Sequence, residues 1–378
     1  MDSDKLSELD QRFNRLLEEI QEVAEQRRSL RKMDKRKILH PILTEKERRA
    51  MEFYRTQQRA LWTPHEMKFG EDIEEYQALS EDMKRLIDIP FAFFAGADGS
   101  VIDMLAIRFL LEPETYHEMC FYLAQLYIES VHAETYALLI THLIPDDKKA
   151  ERLLSSHQND PVIKSIHDWI DGFLTGTYSD VERKAGVALM EGAIFQAPFL
   201  FIFYFKTLGT MKNIRFANEQ ISKDEALHAD KGCDFVKHWR SENGKAYDES
   251  IYKLAEEARK LVRAFSMYVL TRDSPDGDKE GGKEGKKGEK EKGKVISVPQ
   301  LEEAAVMAYC DLVVNNILYK FGLEQVYEVD RSLIPSWMHS IADVNKSNFY
   351  EYQVSNYSQY SHKDIDDGEG ESDSDVDF

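Results

Sequence analysis

Two E-x-x-H pairs, Glu129 with His132 and Glu225 with His228, constrain this chain more than any other feature of its sequence. Residues three apart lie on one face of a helix, so each pair can grip one ion from the same side. A single such pair is common on solvated helix surfaces. The first of these, however, sits inside the apolar stretch FYLAQLYIESVHAETYALLI. Two isolated acids add to the set. Glu191 is the only charged residue of the run Gly186 to Phe205 (GVALMEGAIFQAPFLFIFYF). An unpaired buried carboxylate is expensive, so Glu191 must be neutralised, ion-paired or bound to metal. Asp98, within FAFFAGADGSV, is again an acid among aromatic and small residues. Alone it reads as a helix-end or turn residue.

Taken together, one carboxylate, one E-x-x-H, one carboxylate and one E-x-x-H on four helices form the ligand set of a ferritin-like dinuclear bundle. The separations agree with that fold. Asp98 to Glu129 is 31 residues and Glu191 to Glu225 is 34, each the length of a helix-turn-helix. Between the halves, 59 residues from His132 to Glu191 leave room for a long crossover. An oxygen-rich site with one imidazole per ion suits iron or manganese better than zinc or copper. Tyr136 follows His132 by four residues, one turn further along the same helix, and so points toward the metal side. Phe195, Phe199 and Ile221 fall at one-turn offsets from Glu191 and Glu225 and could wall Tyr136 off from water.

Helical periodicity runs through most of the chain, and no segment alternates as a strand does. Helices are expected over 44–62, 72–88, 89–111, 113–143, 161–173, 180–208, 217–240, 248–271, 299–322 and 335–345. This is an all-α fold with helices beyond the four of the bundle. Leu6, Leu9, Phe13, Leu16, Ile20 and Val23 follow 3-4-3-4-3 spacing, which admits a coiled coil or an amphipathic helix docked on its own domain. Three regions result: an N-terminal heptad helix extension over 1–37, a helical domain over 38–350, and a flexible tail over 351–378. The Gly/Lys/Glu segment 273–294 cannot bury a core and is expected to be a disordered loop within that domain.

Charge narrows the function classes. The net charge is −20, with eight acids and one lysine in 362–378 alone, while 273–294 carries seven acids and seven lysines. The remainder is acidic and spread out, which argues against nucleic-acid binding. Cys120, Cys233 and Cys310 form no CxxC pair and fit a reducing, cytoplasmic interior without disulfides. Gly186 to Phe205 is long enough to span a bilayer, but Glu191, Gln196 and Pro198 near its middle make it a helix buried in protein.

These residues resemble the small subunit of class I ribonucleotide reductase, nearest the eukaryotic and large-DNA-virus type. The resemblance rests on LWT (61–63), FAFFAGADG (91–99), ESVHAETYALL (129–139), VALMEGAIF (187–195), ISKDEALH (221–228), NFYEYQVSNY (348–357) and the terminal DVDF. It implies that Asp98, Glu129 and His132 hold one iron, and that Glu191, Glu225 and His228 hold the other, in an oxo-bridged pair of irons per chain. It implies further that Tyr136 becomes a stable tyrosyl radical after the site reduces dioxygen. By the same resemblance, Trp62 and Asp224 link by hydrogen bonds to His132, and Tyr357 relays the radical to a large partner subunit that reduces ribonucleotides. The tail would dock on that subunit through Val376 and Phe378, and the small subunit would be a homodimer.

Several features depart from the family pattern. Gln196-Ala197-Pro198 stands where small residues are usual, and Pro198 is expected to kink its helix. The 273–294 insertion and the heptad helix are not general family features. Tyr136 and Asp98 argue against the manganese/iron subgroup, where phenylalanine and glutamate are expected. Two rivals share the bundle: an iron oxidase or oxygenase acting on its own organic substrate, and an iron-storage or structural protein. Neither needs Trp62, Tyr357 or an acidic tail ending in phenylalanine.

Overall fold

The computed structural model of the chain describes residues 3–30, 43–272 and 294–344. Tyr357, Val376, Phe378 and the 351–378 tail lie outside the described residues, as does 273–293. Among the described residues the fold is helical apart from one two-residue antiparallel pair, β1 (Thr271–Arg272) with β2 (Lys294–Val295), at the two ends of the insertion.

The chain opens with α1 (Ser3–Leu30). Its apolar stripe is not docked on the domain: Leu9, Phe13 and Val23 are 59%, 63% and 55% exposed, and only Ala24 is buried. Next comes α2 (Glu45–Arg59), started by a capping box in which Thr44 and Glu47 satisfy each other's backbone N–H groups. The short α3 (Ile73–Gln77) leads to α4 (Glu81–Met104), capped by Ser80. The expected break near residue 88 does not occur. Pro90 lies inside α4 and removes one backbone donor, while Leu86, Ile87, Phe91, Phe93 and Phe94 around it are completely buried and hold the helix in place. A π-turn over Leu105–Phe109 ends it.

The long α5 (Tyr116–Leu143) packs against both α2 and α4. Three shorter helices that the periodicity does not resolve fully follow: α6 (Asp147–Leu154), α7 (Ser156–Asn159) and α8 (Pro161–Thr175). The second half of the bundle is α9 (Asp180–Leu189), α10 (Gln196–Leu208) and α11 (Lys212–Asn243). It is followed by α12 (Asp248–Leu270), α13 (Glu303–Lys320) and α14 (Ser336–Val344).

The expected single helix over 180–208 is interrupted by a π-turn at Met190–Ile194, which separates α9 from α10. This turn also settles the proline. Pro198 falls at the third position of α10, where a helix start has no intrahelical partner for the backbone N–H. Asp180–Leu208 is apolar and long enough to cross a membrane, yet 94% of its most apolar window is buried inside the fold, as in a core helix. Gly192 allows the π-turn to lie against its neighbours, since a Cβ there would sit 2.4 Å from Ile317 Cδ1 and 3.1 Å from Ala229 Cβ. A buried ion cluster links α9 to α5 and α11. Lys184 Nζ reaches Glu118 at 3.1 Å and Asp180 at 3.2 Å, and lies 3.6 Å from the centre of the Phe235 ring.

Candidate metal centre

α4 places Asp98, α5 places Glu129 and His132, the π-turn places Glu191, and α11 places Glu225 and His228. All six are at most 2% exposed. Ligand atoms of Glu129, Glu191, Glu225 and His228 lie within 4.8 Å of one another. His132 joins them through Nδ1, 3.0 Å from Glu225 Oε1 and 3.3 Å from Glu129 Oε2. His228 Nδ1 lies 3.0 Å from Glu129 Oε1 and 3.6 Å from Glu225 Oε2. Both imidazoles therefore aim the same nitrogen at the same carboxylates. The buried Asp98 carboxylate feels the charges of His132, Glu129 and Glu225.

The π-turn matters for Glu191. An extra residue in a helical turn re-aims the side chains on either side of it, and such turns gather at functional sites. Gln125, one turn before Glu129 on α5, then fixes Glu191 by donating to Oε1 at 3.0 Å. The other Glu191 oxygen accepts nothing.

Whether these residues fit metal can be decided from their unmet bonding. Both oxygens of Asp98, Glu129 and Glu225, one of Glu191, and Nδ1 of both histidines are buried without an aligned hydrogen bond. Native folds leave very few buried polar atoms unsatisfied, and each costs about 1–3 kcal/mol when orphaned. Six of these nine atoms meet one another only as histidine–carboxylate contacts of 3.0–3.6 Å, the three oxygens of Asp98 and Glu191 meet no donor, and the set could hold cations. Four carboxylates would balance two divalent ions, and hard oxygen donors with one imidazole each match iron or manganese.

The electrostatics of the metal-free chain follow from the same crowding. Burial pushes Asp98 and Glu191 well above the usual carboxylate range, with neighbouring carboxylates adding to it and the histidines opposing. Burial also disfavours the charged form of Glu129, but His132 and His228 outweigh it and hold that carboxylate down at about 2. His228 is pushed up to about 10, burial being overcome by Glu129 and Glu225, and His132 rises well above its ordinary value through Asp224, Glu129 and Glu225.

The far nitrogens of the two imidazoles are held in turn. Asp224 Oδ2 accepts from Trp62 Nε1 at 2.8 Å and lies 3.2 Å from His132 Nε2. Trp62 also stacks on His132, with ring centres 5.9 Å apart and planes 22° apart. Gln57 on α2 donates from Nε2 to Asp224 Oδ1 at 2.9 Å, and its Oε1 lies 3.0 Å from His228 Nε2. A carboxylate only accepts, so the amide nitrogen must face Asp224 and its oxygen must accept from His228. That leaves each histidine with Nε2 protonated and Nδ1 turned to the site, the arrangement by which an outer partner orients a metal ligand.

Tyr136 is completely buried beside the site, and its hydroxyl donates to Asn218 Oδ1 at 2.8 Å. Phe94 stacks on its ring, with centres 4.7 Å apart and planes 12° apart, and Phe91 lies at 5.7 Å. Phe195 and Phe199 pack on Phe94 at 5.4 and 4.8 Å, forming a layer behind it. Ile221 is also completely buried. The structure brings Glu129, His132, Glu191, Glu225 and His228 into one cluster whose charges Asp98 feels, with Trp62 and Asp224 on the far side of His132 and Tyr136 sealed nearby. Gln57, Gln125, Asn218 and Phe94 were not expected from the sequence. Gln125 and Asn218 carried a signal, being polar residues at helical spacing from Glu129 and Glu225. Gln57 carried none, because its partners are 167 and 171 residues away.

Fold and site together define a ferritin-like helical bundle with a buried cluster of carboxylates and histidines in its core. The family model for the ribonucleotide reductase small chain matches residues 42–280. The chain belongs to the ribonucleotide reductase small-chain family. Among curated relatives, the ribonucleoside-diphosphate reductase small chain of Plasmodium falciparum is 28% identical over 328 residues, covering 87% of this chain and 85% of that protein. The subunit M2 of Mesocricetus auratus is 28% identical over 84% of this chain and 78% of its own length. The Variola virus small chain is 27% identical over 80% and 86%. Two solved structures share the fold: the dimanganese(II)-NrdF of Streptococcus sanguinis and the Rnr4 homodimer of Saccharomyces cerevisiae, both at a TM-score of 0.64. They are 14% and 19% identical and cover 80% and 85% of this chain, and 98% and 94% of their own.

Proposed function

We propose that this chain is the radical-generating small subunit of a ribonucleoside-diphosphate reductase, with a pair of irons and a redox-active Tyr136. The observation that carries the reading is a buried cluster of four carboxylates and two imidazoles, three of whose oxygens meet no donor, beside one sealed tyrosine. Asp98, Glu129 and His132 would hold one iron, and Glu191, Glu225 and His228 the other. When bound, the pair would reduce dioxygen and supply the oxidising power that the protein itself lacks.

The chain's own residues prepare and guard the tyrosine. Burial, then Asp98 and Glu225, push the Tyr136 phenol well above its ordinary value, so it stays protonated at physiological pH. Its electron therefore leaves together with its proton. The Phe94 face, backed by Phe195 and Phe199, keeps water and small reductants away from the oxidised ring. Trp62, Asp224 and His132 form an unbroken set of contacts from the segment after α2 to the candidate ligands, suited to coupled electron and proton transfer. Tyr357 would continue that route to the large subunit, with Val376 and Phe378 as docking anchors in a homodimeric, cytoplasmic enzyme.

Anaerobic loading with Fe(II), exposure to dioxygen and electron paramagnetic resonance test this reading. The wild type should load a dinuclear site and show a tyrosyl signal. Tyr136→Phe should keep the iron and lose the signal, whereas Glu191→Ala should lose both. An unchanged signal in Tyr136→Phe, or full loading in Glu191→Ala, would overturn it.

A further inference from the structure

Asn218 is none of the proposed ligands, yet it is completely buried and accepts the only hydrogen bond described for the Tyr136 hydroxyl. It lies on α11 seven residues before Glu225, two turns along the same face. Its second neighbour decides how its amide is turned. Asn218 Nδ2 donates at 2.8 Å to the Ile214 carbonyl, which can only accept. The amide is thus locked with its oxygen toward Tyr136. An amide oxygen can hold the phenol's proton in a hydrogen bond but is too weak a base to take it.

We propose that Asn218 is a positioning residue that favours the reduced form of Tyr136, an inference that rests on the radical reading above. In that reading Tyr136 would give up one electron and one proton to the oxidising power that dioxygen and a metal pair held by the six ligand candidates would supply. The O–H bond breaks, and the phenoxyl oxygen left behind can only accept. It then faces Asn218 Oδ1, another acceptor, at hydrogen-bonding distance. Turning the amide over moves the mismatch to the Ile214 carbonyl and removes nothing. The hydrogen bond is open to the phenol and closed to the radical. A net hydrogen bond of ordinary strength corresponds to about 2- to 10-fold in the equilibrium between the two forms. Asn218 therefore sets how readily the radical is lost, independently of the metal ligands.

Two measurements on the full chain test this. In the chelator-treated protein, ultraviolet resonance Raman bands of wild type minus Tyr136→Phe isolate this one tyrosine and report whether its hydroxyl donates. A donor signature is expected in the wild type, and its loss in Asn218→Leu, a substitution of similar shape. A non-donating hydroxyl in the wild type overturns the proposal without recourse to any Asn218 variant. After iron and dioxygen treatment, loss of the radical is followed with two one-electron reductants of different size. At equal iron content, Asn218→Leu should keep the radical about 2- to 10-fold longer against both. Unchanged or faster loss overturns the proposal, and so does an effect with one reductant alone, which would report access and not stability. A wild-type chain that forms no radical at all overturns the functional reading itself, a result separate from a wild-type radical that Asn218→Leu leaves unaltered.

Discussion

Gln57→Leu removes the one described side chain that ties the supports of the two imidazoles together. Gln57 is completely buried, donates to Asp224 Oδ1 at 2.9 Å and stands 3.0 Å from His228 Nε2. Leucine nearly preserves the volume, so the cavity contribution is small, and the cost comes from the groups left behind. His228 loses the acceptor for its Nε2–H, and Asp224 loses one of its donors. A buried polar group deprived of its partner costs about 1–3 kcal/mol, so the metal-free fold should lose about 2–6 kcal/mol. Metal binding should weaken as well, because nothing then fixes which His228 nitrogen faces the site. Loss of an outer partner of this kind lowers metal affinity by about 10- to 100-fold. Urea denaturation of chelator-treated protein reads the first effect, and competition for Fe(II) against a chromophoric chelator reads the second. A stability loss below about 1 kcal/mol together with affinity near that of the wild type would refute the bridge.

Three further outcomes are expected. Trp62→Phe and Asp224→Asn should still load metal but lose orders of magnitude in turnover with the large subunit, and near-normal turnover in either would remove the proposed route. Metal affinity should depend on pH through His228. Its pKa rises from the ordinary 6.5 to about 10 in the metal-free chain, so its proton stabilises that fold fully below pH 6.5, and this contribution fades as pH climbs toward 10. An incoming ion must displace that proton, so chelator competition should show affinity rising with pH across this window, and a flat profile would contradict it. Deleting 372–378 should leave iron and radical intact while abolishing turnover, and full activity of the truncated chain would show that docking lies elsewhere.

The clustering of the candidate ligands was legible in the sequence because a helix turns spacing into direction. Glu129 with His132, and Glu225 with His228, declare a shared face through their numbers alone, and Glu191 declares itself by standing charged in an apolar run. What spacing cannot carry is an interruption of the helix. The π-turn at Met190–Ile194 was invisible to a periodicity of 3.6, although it aims Glu191 and moves Pro198 into a helix start that tolerates it. The boundary expected between 88 and 89 is absent because Pro90 is carried inside α4 by packing on both sides. Gln57 was out of reach for another reason: its meaning lies wholly in contacts with a distant helix. The heptad stripe of α1 admits a coiled coil or a helix docked on its own domain, and spacing cannot decide between them because docking depends on surface complementarity; Leu9, Phe13 and Val23 are exposed.

The most direct test of the central claim is ribonucleoside diphosphate reduction by the iron- and dioxygen-treated chain mixed with its large subunit, compared between wild type and Tyr136→Phe at equal iron content. The wild type should form deoxyribonucleotide, and Tyr136→Phe should form none while keeping its metal. Equal turnover by the two chains would show that the sealed tyrosine is a packing residue and that the centre works by some other route.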